Sequence, residues 1–252
     1  TRLFVGAEGT LGVITEITLR LYGIPEAISA GVCTFPTVRA CCDATIATIQ
    51  SGLPVARIEL LDALMVHAVN LHSKLGLPEE PMLLLEFHGT DASVKEQAER
   101  FGEIAQEFGG GDFVWATKPE DRTKLWQARH DGYWAGFTLR PGAKSLASDV
   151  CVPISRLADC VEETYRDLAE AKLVAPIVGH VGDGNFHVNL LVNMDDKDEV
   201  ARTEAFLERL VLRGIAMEGT CTGEHGVGQA KMKYLLKEPS PATLDLMRTL
   251  KR

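Results

Sequence analysis

Alternating and helical hydrophobic patterns divide much of the chain into two similar runs of elements. The first run predicts strands at 31–35, 56–61, 82–87 and 113–117 and helices at 37–50, at 62–72 behind a capping Asp62, and from a capping Asp91 to Gly109. If the short helix at 62–72 is set aside, the order is β-α-β-β-α-β. That is the order of a ferredoxin-like unit.

The second run repeats much of this order. It predicts a helix at 119–134, a strand at 145–152, a helix at 153–171, strands at 174–180 and 186–192, a helix at 196–217, a loop at 218–228 and a helical tail. This β-α-β-β-α order is a partial second copy of the same topology. The expected fold class is therefore α+β, with duplicated ferredoxin-like units, a largely antiparallel sheet and C-terminal helices.

The N-terminal segment has a pattern of its own. Residues 13–21 alternate apolar and polar side chains, which predicts a half-buried strand, and Gly23 and Pro25 then interrupt the chain. We therefore expect a domain boundary between 1–22 and 23–252. The chain has no initiator Met, and its last residues stop within a helical pattern, so we expect it to be a piece of a longer protein.

Composition excludes two classes of protein. The 252 residues carry 26 Lys and Arg against 35 Asp and Glu, a net charge of −9, with no dense basic run, which argues against nucleic-acid binding. No apolar run approaches the roughly 18–20 residues of a membrane-spanning helix. The six cysteines are scattered, which is typical of reduced thiols in an intracellular protein.

The segment 179–189 holds the sharpest candidate chemistry. A turn at 182–185 between two apolar strands places His180 opposite His187, where Cβ atoms lie about 4.5–5.5 Å apart. On the second strand, His187 and Asn189 share the face opposite a wholly apolar one. Two imidazoles so placed can share a metal ion. The alternative is a polar hairpin of hydrogen-bonded histidines.

A third ligand is available in the glycine-rich segment 220–228. Adjacent side chains of an extended segment point in opposite directions, so Glu224 can reach a metal while His225 faces a substrate. The result is a site of two histidines and one carboxylate that suits Zn²⁺, Mn²⁺ or Fe²⁺. Taken alone, the segment reads as a flexible loop.

The segment 6–12 is also glycine-rich, but its spacing is not that of a dinucleotide-binding fingerprint and no helix follows it. A tight turn and a close approach to a cofactor both remain open. Taken alone, Arg129 and Lys144 read as surface charges.

Together these segments resemble a known family. VGAEGTLGVITEITLRL is similar to the end of the FAD-binding domain of flavin-linked oxidases of the vanillyl-alcohol oxidase type, while GHVGDGNFHVN and GTCTGEHGVG resemble signatures of their C-terminal substrate domain. Within that family, LWQARHDGYWA and RPGAKSLASDVCVPISRL are most similar to the cytochrome-linked D-lactate dehydrogenases. Glycolate oxidase subunits and D-2-hydroxyglutarate dehydrogenases are close relatives.

The resemblance implies a role for each matching residue. It implies metal ligands at His180, His187 and Glu224, a catalytic base at His225, and substrate contacts at Arg129, Lys144 and Asn189. It implies a flavin-lining stretch at Glu8, Gly9, Thr10, Gly12, Val13 and Ile14. Most FAD contacts in the family come from sequence that precedes this segment, so residues 1–22 would be the remnant of an FAD-binding domain.

The activity that the resemblance implies is oxidation of D-lactate, or a related D-2-hydroxy acid, to the 2-keto acid by hydride transfer to FAD. Its partners would be the FAD-binding domain and an electron acceptor, namely a cytochrome, a quinone or an electron-transfer protein. The expected location is the bacterial cytoplasm or the periphery of the inner membrane, or mitochondria in a eukaryote. A metal-dependent hydrolase and a non-catalytic ligand-binding module are the alternatives.

Overall fold

The computed structural model describes residues 2–252, and within them the strands form one antiparallel sheet. The strands are β1 (Ala27–Thr34), β2 (Val55–Leu61), β3 (Met82–Gly89), β4 (Val114–Ala116), β5 (Lys144–Ala147), β6 (Val150–Cys151), β7 (Ile177–Gly179) and β8 (Asn185–Val192). Their order is β4-β1-β3-β2-β7-β8-β5, with β6 also paired to β8.

This order confirms the duplicated topology. The first four strands lie as β4-β1-β3-β2, the order of a ferredoxin-like unit. The second unit lies as β7-β8-β5 and lacks a fourth strand, as the partial copy predicts. The two units join where β2 pairs with β7, through Leu60 opposite Gly179 and Leu61 opposite Val178. A continuous sheet therefore runs through both copies.

Helices cover both faces of the sheet. They are α1 (Val38–Gln50), α2 (Ala63–Ser73), α3 (Asp91–Glu107), α4 (Pro119–Gly136), α5 (Leu157–Ala171), α6 (Lys197–Ala216), α7 (Met232–Leu235) and α8 (Pro241–Lys251). The main core lies between the sheet and α1, α3, α5 and α6, and a smaller core lies under α2 and α4 on the opposite face. Among the described residues, no helix combines the length and apolarity needed to span a membrane.

Strand alternation decides which side chains meet each layer. On β8, the side chains of Phe186, Val188, Leu190 and Val192 are all buried in the main core, as their spacing predicts. His187 and Asn189 therefore point to the face that carries α2 and α4. The same face receives Glu59 from β2, a buried carboxylate within an otherwise apolar strand end. Polar groups thus collect on one side of the sheet, next to α4.

The strand predicted at 13–21 is wrong. The segment has no regular secondary structure and pairs with none of the strands described in residues 2–252, and its apolar side chains are largely exposed. The exposed fraction is 87% for Val13 and 86% for Leu21. A segment with alternating polarity forms a strand only when a neighbouring strand pairs with it, and no such strand lies beside 13–21 in the described residues.

The strand predicted at 145–152 is divided in two. β5 and β6 both pair with β8, but the ladder is interrupted at Ser148, whose hydroxyl accepts a hydrogen bond from the backbone N–H of Val188 (2.9 Å). Asp149 therefore lies between the two strands, and its side chain does not follow their alternation. Two helix starts also differ, because Thr90 rather than Asp91 caps α3 and a 3₁₀ turn at Ile154–Arg156 precedes α5.

Gly184 ends the turn between β7 and β8 and provides a test of this local packing. Its φ is +78°, and a Cβ at this position would lie 2.1 Å from the carbonyl oxygen of Val152. We expect Gly184→Ala to lower the free energy of unfolding by about 3 kcal/mol through strain and overpacking. Gly142, with φ of +84° and open space around it, is the matched control, and Gly142→Ala should cost about 1 kcal/mol. Equal losses in denaturant titrations would contradict this packing.

Asp167 provides a pH-dependent test of how α5 packs on α6. It accepts hydrogen bonds from Arg213 (2.8 Å) and Arg209 (3.0 Å from Nε). Burial raises the pKa of Asp167, but these hydrogen bonds outweigh it and hold the pKa below its ordinary value of 3.8. The stabilisation is therefore complete above pH 3.8 and is lost as the pH falls through the lower folded pKa.

We expect Asp167→Asn to lower the free energy of unfolding at neutral pH and to flatten its decline in acid. Urea titrations at a series of pH values measure both effects. The exposed Glu96 on α3 is the control, because Glu96→Gln should leave the pH profile unchanged. If the free energy of unfolding fell as steeply at acid pH in Asp167→Asn as in the parent, this carboxylate would not stabilise the fold.

Candidate active site

Helix α4 is anchored to the sheet beside the polar face. The indole N–H of Trp126 and a guanidinium N–H of Arg57 each donate to Glu86 Oε2 at 2.8 Å, and the Arg57 guanidinium lies 3.8 Å from the Trp126 ring centroid. Because Trp126 and Arg129 are three residues apart on one helix, this anchor sets the position of Arg129 over β2.

The hairpin between β7 and β8 differs from the prediction in its register. Val178, not His180, lies opposite His187. His180 begins a turn that contains the 3₁₀ segment Val181–Asp183, and so approaches the site from the loop. The predicted turn at 182–185 is shifted, because β7 ends at Gly179 and β8 begins at Asn185, so the connection runs from 180 to 184. The two imidazoles still meet, with ring centroids 5.6 Å apart and nearly perpendicular planes.

Glu59 holds both His180 and Arg129. Its Oε1 lies 2.6 Å from His180 Nδ1, and its Oε2 accepts a hydrogen bond from Arg129 Nε at 2.9 Å. The hydrogen bond to Glu59 raises the pKa of His180 by more than burial lowers it. With Nδ1 engaged by Glu59, the Nε2 atom of His180 is the one that faces the site. A carboxylate behind a ligating histidine is a common arrangement in metal sites.

His187 is held in the same way by a carbonyl group. Its Nδ1 lies 3.1 Å from the carbonyl oxygen of Ser148, at the interruption between β5 and β6. Its Nε2 therefore also faces the site. Burial lowers the pKa of His187, which favours the neutral ring that a metal requires.

Glu224 completes the group. Its Oε1 lies 3.1 Å from the Nε2 atom of His180 and 3.1 Å from that of His187. The three potential ligand atoms lie within 4.8 Å of one another. His180 lies in the turn and His187 on β8 of the same hairpin. Glu224 lies in a loop 37 positions after His187 in the sequence. The structure thus brings together all three residues predicted as ligands.

His225 lies on the same side of the loop as Glu224, which the sequence did not predict. The loop bends at both residues, so their side chains are not opposed. The His225 ring stacks on the His187 ring at 4.9 Å with an angle of 8° between planes, and its Nε2 is 3.8 Å from Glu224 Oε1. About half of its side chain is exposed. It is therefore beside the cluster and accessible.

Asp149, which the sequence analysis missed, lies behind this loop. Its carboxylate accepts hydrogen bonds from the backbone N–H groups of Glu224 (3.0 Å) and His225 (2.8 Å) and from the Thr222 hydroxyl (2.8 Å). Burial alone would raise the pKa of Asp149, but these bonds and one from Asn185 lower it far more. Asp149 is therefore an anion throughout the ordinary pH range.

The predicted substrate contacts are divided by the sheet. Arg129 lies at the site, where its Nη2 is 3.3 Å from His180 Nε2. Lys144 does not, because its pairing with Val192 places it on the core-facing side of the edge strand, together with Leu146. The prediction began this strand at Ser145, so Lys144 was not assigned to either face of the sheet.

Asn189 lies on the polar face but is covered. Its amide oxygen accepts a hydrogen bond from Ser145, and its amide nitrogen is buried without a partner among the described residues. Gly136 of α4 lies directly above it, so that a Cβ there would come within 2.6 Å of the amide nitrogen. In this conformation Asn189 supports α4 at the edge of the site.

The N-terminal residues predicted to line a flavin form a turn and one wall of a hollow. Gly9, Gly12, Val13 and Ile14 border a hollow of about 260 Å³, and the Thr10 hydroxyl closes a turn on Ala7. Glu8 instead turns to the loop, where it accepts hydrogen bonds from the backbone N–H groups of Val227 (2.5 Å) and Gly228 (2.9 Å). Both readings of this segment, a tight turn and a wall near a ligand, remain compatible with these contacts.

One signal in the sequence marks the two missed carboxylates. Glu59 lies in the apolar run RIELL and Asp149 in ASDVCV, and both are buried. A charged residue within a strand that enters the core needs hydrogen-bonded partners. Such residues therefore identify positions where the strand faces a polar site.

Comparison with known proteins identifies a family and related sequences. Residues 24–252 match the sequence profile of the family described as "FAD linked oxidases, C-terminal domain". Over 251 residues the chain is 49% identical to "Probable D-lactate dehydrogenase, mitochondrial" of Danio rerio, covering 100% of this chain and 50% of that protein. It is 42% identical to "D-lactate dehydrogenase [cytochrome], mitochondrial" of Arabidopsis thaliana, covering 100% of this chain and 44% of that protein.

The fold is also found in a solved enzyme structure. p-Cresol methylhydroxylase with substrate bound superposes with a TM-score of 0.65 at 14% identity, covering 90% of this chain and 50% of that chain. The chain spans about half the length of the curated relatives described above.

Proposed function

This chain belongs to the FAD linked oxidase C-terminal domain family, and on that premise we propose that it forms the substrate side of a flavin-dependent D-2-hydroxy-acid dehydrogenase, with D-lactate as the favoured substrate. The observation that carries the proposal is the convergence of His180, His187 and Glu224 beside Arg129 and His225. D-lactate is favoured because the two curated relatives above carry that name. Family membership favours this function over a hydrolase or a passive binding module.

The donor set fits a divalent metal ion. Two imidazole Nε2 atoms and one carboxylate oxygen face one point, and the remaining ring nitrogens are engaged by Glu59 and the Ser148 carbonyl. His180, His187 and Glu224 would hold the ion, and Zn²⁺, Mn²⁺ and Fe²⁺ all suit these ligands. When bound, a divalent ion supplies a positive charge that lowers the pKa of a nearby hydroxyl group.

Arg129 is the residue we propose to bind the substrate carboxylate. Its Nε is committed to Glu59, while Nη1 has no hydrogen-bond partner within residues 2–252. Glu59 thus fixes the guanidinium plane and leaves one edge of it for an anion. Because Glu59 also holds His180, the carboxylate end and the hydroxyl end of a short 2-hydroxy acid would be positioned by one buried side chain.

His225 is the residue we propose to accept the substrate hydroxyl proton. It is accessible, makes no hydrogen bond from its ring within the described residues, and stacks on His187, so its orientation is restrained while both ring nitrogens stay available. When bound, FAD supplies the hydride acceptor. The N-terminal turn that contains Glu8 lies against the same loop, which supports a flavin on that side.

We also propose an electron acceptor and a location. The cytochrome-linked relative supports a cytochrome as acceptor of the electrons, with a quinone or an electron-transfer protein as the other candidates. In a eukaryotic host, the mitochondrial relatives support a mitochondrial location.

The activity test uses the intact protein with FAD and an artificial electron acceptor. We expect bleaching of the flavin absorbance by D-lactate in preference to L-lactate, glycolate and D-2-hydroxyglutarate. His225→Ala should lower turnover by roughly 10²–10⁴-fold, because it removes the proposed proton acceptor. The exposed His72 on α2 is the matched control, and His72→Ala should retain parental turnover.

Two results would contradict the proposal. Failure of every 2-hydroxy acid to reduce the bound flavin would exclude the reaction. Near-parental turnover in His225→Ala would leave the reaction in place but remove the role of this residue.

A further inference from the structure

We propose that Asp149 is a positioning residue that places Glu224 and His225 in the site, an inference that rests on the proposed function. Its side chain has no exposed surface. Its carboxylate accepts hydrogen bonds from the backbone N–H groups of Glu224 at 3.0 Å and His225 at 2.8 Å. These two peptide groups flank the Glu224 α-carbon, so their orientation sets the direction of the Glu224 side chain.

The same carboxylate also ties the loop to β8. Asn185, the first residue of β8, donates its amide N–H to Asp149 Oδ1 at 2.9 Å and to the carbonyl oxygen of Val150 at 3.1 Å. His187 is two residues further along that strand. Asp149 therefore links the strand that carries His187 to the loop that carries Glu224, and the spacing between those side chains depends on it.

Gly223 shows how closely the loop packs against Asp149 and Asn185. A Cβ at this position would come within 1.9 Å of Asn185 Nδ2 and 2.8 Å of Asp149 Oδ1. Only glycine allows the backbone to approach the Asp149–Asn185 pair at this distance. This close contact explains why a glycine precedes Glu224.

Asp149 is placed near two histidines but is not arranged as a metal ligand. Potential ligand atoms of Asp149, His187 and His225 do lie within 4.8 Å of one another. However, both carboxylate oxygens already receive N–H and O–H donors, and Lys231 Nζ lies 3.3 Å from Oδ2. A cation there would face these donors and the ammonium group, so the role we assign is positioning.

Asp149→Asn in the intact protein is the primary test, because it keeps the side-chain shape and removes an acceptor oxygen. We expect faster hydrogen exchange at the Glu224 and His225 amides and an affinity for Mn²⁺ or Zn²⁺ lower by roughly 10–100-fold. Thr222→Val, which removes one donor but keeps the carboxylate, should give smaller changes in the same direction. The exposed Asp195 is the control, and Asp195→Asn should change neither measurement.

A double-mutant cycle separates positioning from ligation. If Asp149 acts through Glu224, then Asp149→Asn should cause little further loss of metal affinity in a Glu224→Gln background. A full additive loss would show that Asp149 is itself a ligand and overturn the proposal.

The exchange measurement distinguishes this inference from the proposed function. If the parent protein binds neither ion, the metal assignment fails, but faster exchange at the Glu224 and His225 amides in Asp149→Asn would still support positioning. Unchanged exchange at both amides in a folded Asp149→Asn, or in Thr222→Val if Asp149→Asn does not fold, would overturn it.

Discussion

The site depends on hydrogen bonds from backbone N–H groups to a buried carboxylate. A loop rich in glycine has many accessible conformations, and a carboxylate without solvent must find donors. Asp149 meets both conditions at once, since the N–H groups of Glu224 and His225 satisfy it while it restricts the loop. The loop that carries the proposed catalytic residues is therefore held in place by Asp149, which lies between β5 and β6, where the pairing with β8 is interrupted.

Glu59 has the corresponding role on the other side of the cluster. It lies on β2, which forms the junction with the second unit through β7. From there it contacts His180, which belongs to the second unit, and Arg129, which belongs to α4. The fused sheet thus explains why residues from both copies of the topology meet, and why neither unit alone carries the whole group.

Much of the fold could be predicted from the sequence because local patterns determine it. The strand alternation of Phe186 to Val192 and the capping of α2 by Asp62 are confirmed. The register of the β7–β8 hairpin could not be predicted, since a turn with a 3₁₀ segment shortens β7 and only tertiary contacts select it. The segment 13–21 shows the complementary failure, in which a strand pattern finds no pairing strand among the described residues.

The candidate site was predicted as a set of residues rather than as a geometry. His180, His187 and Glu224 meet as expected, but His225 lies beside Glu224 because the loop bends, and Lys144 faces away because the edge strand's alternation places it with Leu146. The supporting carboxylates were missed because their partners are distant in sequence, 121 positions for Glu59 and His180 and 76 for Asp149 and His225. Such pairs follow from topology rather than from local pattern.

Anomalous X-ray scattering from crystals of the intact protein grown with Mn²⁺ or Zn²⁺ would locate a metal ion bound by the two histidines and Glu224. We expect one peak about 2.0–2.3 Å from the Nε2 atoms of His180 and His187 and from a Glu224 carboxylate oxygen. A peak coordinated by Asp149, His187 and His225 instead, or no peak at this cluster, would contradict it.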